Sequence, residues 1–194
     1  MDNQLDISLV LKKIEKLPKG LQSHIDRTRT IARSLAERYN IDINQVDYAM
    51  AAHDLARHLS NKELLSFADD FKIPLSVIEI QSPVLLHGPV SAKWLEHDFN
   101  VSNPDILQAV WFHTTGTPDF GIIGKIVFIS DKLDPAKRLQ FPHFDLIQQI
   151  VSEDLNRAVL NYLIDLISIQ EVRQITVHPL TYAFKKCLEK QYQI

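Results

Sequence analysis

Apolar positions along this chain fall mostly at alternating steps of three and four, the spacing that lines one face of a helix. Leu21, Ile25, Thr28, Ala32, Leu35 and Tyr39 form one such stripe. A shorter helix over residues 7–17 precedes it, closed by Pro18 and Gly20. Asp42 with Gln45 and Ser60 with Glu63 have capping-box spacing, predicting one helix through Met50 towards His58 and another reaching about Phe71. Ser82-Pro83 and Asn103-Pro104 each set a capping side chain before a proline at the first helical position. The second predicts a helix ending near His113, where Thr114-Thr115-Gly116 breaks it. An apolar helix follows over residues 122–133, stopped by Asp134-Pro135, then a loop at Phe141-Pro142-His143. A long helix over residues 145–169 and a last one from Pro179 complete the pattern; only residues 174–177 read as strand-like. Tyr182, Phe184 and Leu188 sit near helical spacing, for core packing or, alternatively, a homodimer face. The prediction is all-α: one domain over residues 1–194, a helical bundle with its motifs at about 20–140 and additional C-terminal helices at about 145–194.

Composition narrows the chemistry. The net charge of −3 offers no broad electrostatic grip on a nucleic acid polymer or an anionic membrane. A single thiol, Cys187, cannot form an internal disulfide, which fits a reducing compartment. Residues 1–10 lack the basic start and apolar run of a secretion signal, and no apolar stretch approaches the roughly 20 residues that span a bilayer. The expected setting is the cytoplasm.

Against this background His24, the doublet His53-Asp54, His87, His113 and Asp131 stand out. The doublet lies in Ala49-Met50-Ala51-Ala52-His53-Asp54-Leu55-Ala56, where nearly every neighbour is small or apolar. A carboxylate so surrounded needs a partner charge or several donors. Asp131 follows Ile126-Val127-Phe128-Ile129-Ser130 in the same way, and His24 lies beside the first apolar stripe. These groups offer imidazole and carboxylate ligands without thiolate, a set suited to iron, manganese, cobalt or zinc. The competing reading pairs Asp54 and Asp131 with Arg57, Lys132 or Arg138. Two further strings, Leu85-Leu86-His87-Gly88-Pro89 and Trp111-Phe112-His113-Thr114-Thr115-Gly116, put a histidine at a helix end with glycine close behind. Glycine there permits close backbone approach to a ligand, and Thr114, Thr115 and Gly116 offer amides and hydroxyls to phosphate oxygens.

The ordered set resembles the HD phosphohydrolase superfamily. More narrowly, Leu85-Leu86-His87-Gly88-Pro89-Val90 and His113-Thr114-Thr115-Gly116 are similar to strings of the bacterial YqeK family of symmetrical diadenosine tetraphosphate hydrolases. Ser130-Asp131-Lys132-Leu133-Asp134-Pro135 resembles that family's Ala-Asp-Tyr-Ile-Glu-Pro. The resemblance implies a metal held by His24, His53, Asp54 and Asp131, most readily iron. It assigns His87 and His113 to a second metal or to the phosphates, with Asp54, His87 and His113 catalytic. Arg57, Lys132, Lys137 and Arg138 are the implied cationic phosphate contacts. The implied substrate is diadenosine tetraphosphate, cut to two ADP. The alternatives are an HD enzyme for a nucleoside monophosphate, deoxynucleotide or cyclic nucleotide, or a nucleotide-binding module without turnover. Departures from the family pattern fall at Arg57 for Lys, Ser91 for Gly, Thr117 for Arg, and Asp134-Pro135-Ala136-Lys137-Arg138 for Glu-Pro-Gly-Arg.

Overall fold

The computed structural model describes residues 6–193, so the secretion-signal reading of residues 1–10 lies partly outside the described residues. Their regular elements are α1 (Ser8–Ile14), α2 (Lys19–Arg38), α3 (Ile43–Ala52), α4 (Asn61–Asp70), α5 (Val77–Gln81), α6 (His87–Asp98), α7 (Pro104–Phe112), α8 (Ile122–Lys132), α9 (Phe144–Ile150), α10 (Leu155–Val172) and α11 (Pro179–Tyr192). Short 3-10 turns at Pro83–Leu86 and Pro135–Gln140 link them, and no strand occurs among the described residues. None of these helices is long and apolar enough to cross a membrane.

The fold is organised around α8, which is apolar on nearly every side and is buried accordingly. The stripe of α2 (Ile25, Thr28, Ala32 and Leu35) turns inward, and α2 packs against α3 and α8. On the other side α7 packs against α3, α6 and α8. α10 lies along α8 and carries α9 and α11. Phe184 and Leu188 of α11 are buried in the common core, while Tyr182 is part-exposed and donates its hydroxyl to Glu171. Phe184 meets Phe120 and Phe128 edge-on.

Helix boundaries differ from the periodicity in instructive places. The helix expected to reach His58 stops at Ala52, and residues 53–58 run in turns. There the Ala56 amide donates to the buried Ser91 hydroxyl at 3.0 Å. Asp42 caps α3, but Gln45 bonds its carboxylate and does not close a reciprocal box. Ser60–Glu63 closes one, and Ser76–Glu79, passed over in the sequence, closes another at α5. Asn103 caps α7 as expected. Ser82 makes no capping bond, and Pro83 opens a 3-10 turn instead.

The long helix over 145–169 is two helices. Asp154 caps α10 by accepting the Arg157 amide, and the turn between α9 and α10 exposes two carbonyls. Tyr39 donates to one at Val151 (2.6 Å) and Arg38 to the other at Ser152 (2.8 Å). The strand-like residues 174–177 serve as a helix stop. Gln174 is left-handed (φ 55°), and the Ile175 amide returns to the Gln170 carbonyl. Asn40-Ile41 and Lys72-Ile73 close α2 and α4 by the same six-to-one bond, each without glycine.

Gly88 is a packing residue. A Cβ there would stand 2.7 Å from the Trp111 carbonyl and 3.0 Å from that of Val110, so α6 and α7 touch backbone to backbone. The close approach predicted for this glycine is thus to a helix. Gly88→Ala is expected to destabilise the protein by about 1–3 kcal/mol, the usual cost of overpacking, read as a lower urea midpoint. An unchanged midpoint would show that the two helices part freely.

Candidate metal centre

α2, the turn after α3, the start of α6, the end of α7 and the end of α8 deliver His24, His53-Asp54, His87, His113 and Asp131 to one place. Adjacent residues on a helix diverge by about 100°. The doublet converges because α3 ends before it, leaving His53 Nε2 3.5 Å from Asp54 Oδ2. His24 Nε2 lies 3.0 Å from Asp131 Oδ1 and 3.7 Å from Asp54 Oδ2. The other Asp54 oxygen, Oδ1, lies 3.1 Å from His87 Nε2 and 3.4 Å from His113 Nε2. Ligand-type atoms of His24, His53 and Asp131 lie within 4.8 Å of one another, as do those of His53, Asp54 and His113. Asp54 therefore faces two neighbouring clusters, one with each oxygen.

The ring orientations follow from the helix ends. The last carbonyls of a helix have no intrahelical partner. His53 Nδ1 donates to Met50 at 2.7 Å and His113 Nδ1 to Val110 at 2.8 Å, while His87 Nδ1 faces the Val84 carbonyl. With the proton on Nδ1, the neutral ring turns the Nε2 lone pair inward. Burial pushes His53 down to about 3, and burial also lowers His113. His53 Nε2 is buried and has no hydrogen-bond partner. It is an acceptor facing carboxylate acceptors, an arrangement that a cation between them satisfies. His87 and His113 repeat it, with their Nε2 atoms 2.9 Å apart beside Asp54. A divalent metal fits these residues.

The carboxylates keep their charge. Burial raises Asp54, while the imidazoles of His53, His113 and His87 packed round it lower it to well below the usual range. Asp131 is raised by burial and lowered further by Lys132, Lys137 and His24, ending well below that range too. Burial works against the charged form of His24, yet the hydrogen bond and charge of Asp131 raise its pKa.

The HD domain family model matches residues 21–136. The chain belongs to the HD domain family. A symmetrical bis(5'-nucleosyl)-tetraphosphatase of Halalkalibacterium halodurans is 29% identical to it over 152 residues, covering 78% of this chain and 80% of that one. The protein of the same description in Bacillus subtilis is 27% identical over 146 residues, covering 75% and 77%. A crystal structure of a predicted HD superfamily hydrolase involved in NAD metabolism, from Clostridium acetobutylicum, superposes with a TM-score of 0.89 at 24% identity. It covers 96% of this chain and 98% of its own, a likeness of fold.

In this HD domain the cations expected at phosphate separate into three groups. Arg57 and Lys132 line a pocket of about 200 Å³ with Asp54, His87, His113, Thr114 and Asp131. Lys132 is buried and curls back to Asp131 Oδ2 at 2.5 Å. Lys137 binds Asp131 Oδ1 at 2.7 Å and its carbonyl at 2.9 Å. Among the described residues, the ion pairs weighed against metal binding thus exist at Asp131 alone, and Asp54 has only histidine partners within ion-pair distance. The exposed guanidinium of Arg138 pairs with Asp145 at 2.8 Å.

The His-Thr-Thr-Gly string also divides. Thr114 Oγ1 lies 3.2 Å from Nε2 of both His87 and His113. Thr115 turns to a separate cleft beside Trp111 and His178. The Gly116 amide is bonded to the Phe112 carbonyl at 2.7 Å. Gly116 is left-handed (φ 69°), and a Cβ there would strike Phe184, so the missing side chain serves packing. Sequence reading passed over Asp134, which it took as a helix stop, and Arg27. Asp134 is buried and reaches His24 Nδ1 at 2.6 Å, with Arg27 on its other side. The available signal was Arg27 at helical spacing from His24.

Protonation gives a test. The unfolded His53 ring takes a proton at about 6.5 and the folded one only near 3, so acid favours the unfolded chain. Its stabilising contribution is whole above about pH 6.5 and fades as pH falls towards about 3. His113 acts in the same direction, and Asp54 and Asp131 add losses below their ordinary value of 3.8. His24, raised, opposes them: its contribution is whole below about 6.5 and lost above. The urea midpoint of chelator-treated protein is expected to fall from about pH 7 to about pH 4. A flat or rising midpoint would contradict a neutral His53.

Proposed function

We propose that this HD domain protein is a metal-dependent phosphoanhydride hydrolase that cuts diadenosine tetraphosphate symmetrically into two ADP. The observation that carries the metal reading is the buried, partnerless His53 Nε2 facing two charged carboxylates. The substrate reading is supported by the two relatives described as symmetrical bis(5'-nucleosyl)-tetraphosphatases, each matching three quarters or more of the chain.

His24, His53, Asp54 and Asp131 would hold one ion. His87 and His113, with Asp54, would hold a second. Nitrogen and carboxylate donors without thiolate suit iron, with manganese, cobalt and zinc as alternatives. A divalent ion bound there lowers the pKa of water towards neutrality and neutralises the phosphate under attack. The chain supplies the remainder. Thr114 presents a hydroxyl beside His87 and His113, able to donate to a phosphate oxygen. Arg57 makes no ion pair among the described residues, so its planar fork is free to grip phosphate with two parallel bonds. Lys132 adds a point charge on the same pocket.

Asp54→Ala is expected to abolish metal retention and hydrolysis while leaving helical circular dichroism largely in place. Elemental analysis of freshly purified protein, with identified products from a nucleotide panel, checks both halves. ADP alone from diadenosine tetraphosphate is the expected product. ATP plus AMP would overturn the symmetry, and full activity in metal-free Asp54→Ala protein would remove the mechanism.

A further inference from the structure

Three of the four imidazoles in the centre take their orientation from a backbone carbonyl: His53 from Met50, His87 from Val84 and His113 from Val110. His53 and His113 can do so because they are the C-cap residues of α3 and α7, where carbonyls are left over. His24 stands inside α2 (Lys19–Arg38), where the upstream carbonyls are committed to the helix ladder. It needs an acceptor from elsewhere.

We propose that Asp134 is the positioning residue that holds His24 with its proton on Nδ1 and its lone pair on Nε2, and that Arg27 locks Asp134 in that pose. The inference rests on the metal reading above. Asp134 Oδ2 lies 2.6 Å from His24 Nδ1, and Asp134 is 2% exposed. Its oxygens also accept Arg27 Nε at 2.7 Å, Arg27 Nη2 at 2.8 Å and the Ala136 amide at 3.0 Å. Two parallel guanidinium bonds fix a carboxylate's plane as well as its place.

On the far side of the ring, Asp131 Oδ1 stands 3.0 Å from Nε2. One short segment thus supplies both the oxygen facing Nε2 and the oxygen behind Nδ1. The ring lies between two carboxylates, and its Nδ1 bond to Asp134 sets which way it faces. A carboxylate behind a ligating histidine also makes the metal-facing nitrogen more basic, and loss of such a partner typically weakens metal binding about 10–100-fold.

The test uses Co2+ as the probe, titrated into chelator-treated full-length protein and followed by visible absorption and chelator competition. Asp134→Asn keeps the shape and removes the charge. It is expected to lower Co2+ affinity by about 10–100-fold and to change the absorption bands, while helical circular dichroism persists. Arg27→Met leaves the carboxylate but unlocks it, and is expected to weaken binding in the same direction by less. A merely structural Asp134 would lower the unfolding temperature and leave affinity and bands as in the parent protein; that result overturns the proposal. Should Asp134→Asn fail to fold, Arg27→Met decides alone, and parent-like Co2+ affinity in it overturns the proposal. If the parent protein takes up no Co2+, the metal reading itself falls; if it binds and the variants match it, only the positioning role does.

Discussion

A carboxylate can keep its charge inside an apolar core only in cationic or proton-donating company, and Asp54 sets that condition for this fold. Its neighbours Ala49, Ala51, Ala52 and Ala56 are fully buried, and Leu55 beside it is too. Lysine and arginine do not reach it; imidazoles surround it. Of these, His53 is held neutral by the burial that threatens the carboxylate. Neutral rings supply lone pairs, not charge. The interior is left with a net negative centre that a metal ion completes, and the alanines let α3 lie close enough to α2 and α7 for six side chains to meet.

The same economy appears in how the rings are aimed. A helix end leaves carbonyls unbonded, and a histidine at the C-cap bonds one and turns its other nitrogen forward. His53 and His113 therefore satisfy the helix and present a donor to the centre in one contact. Ser91 contributes from α6: its hydroxyl accepts the Ala56 amide, tying down the turn that carries the doublet. At this position, where the resembled family usually has glycine, the hydroxyl replaces a small residue with a bond.

Which parts were readable from the residues alone follows from where the determining contact lies. The stripe of α2, the capped start of α7 and the Ser60–Glu63 box are written in neighbouring residues, so spacing discloses them. The chemistry-bearing residues also stand out, because His and Asp are conspicuous in apolar runs. The break before α10 has a local mark in the Asp154 cap, but Arg38 and Tyr39 catch its freed carbonyls from more than a hundred positions away, which spacing does not disclose. Isoleucine-sealed helix ends at Ile41, Ile73 and Ile175 hide for another reason: Asn, Lys and Gln occupy the left-handed position where glycine is the expected mark. Asp134 looked like a stop signal because its helix-ending place and its reach to α2 are separate facts, and only the second is chemical.

Equal formal charge does not make equal ligands, and this decides what can greet a polyphosphate. Arg57, Lys132, Lys137 and Arg138 carry one positive charge each, yet Lys137 is bound twice by Asp131 and Arg138 is bound to Asp145. Lys132 is bound to Asp131 as well, but it lines the pocket, so a phosphate would compete with that carboxylate for an ammonium already in place. Arg57 starts with no such partner among the described residues, and its charge is available to an arriving anion without first breaking an ion pair. A chain with net charge −3 does not draw polyanions from a distance. In the proposed reading, capture of a polyphosphate would rest on short-range contacts at the pocket, where a bound cation would reverse the local sign and Arg57 would fix the orientation.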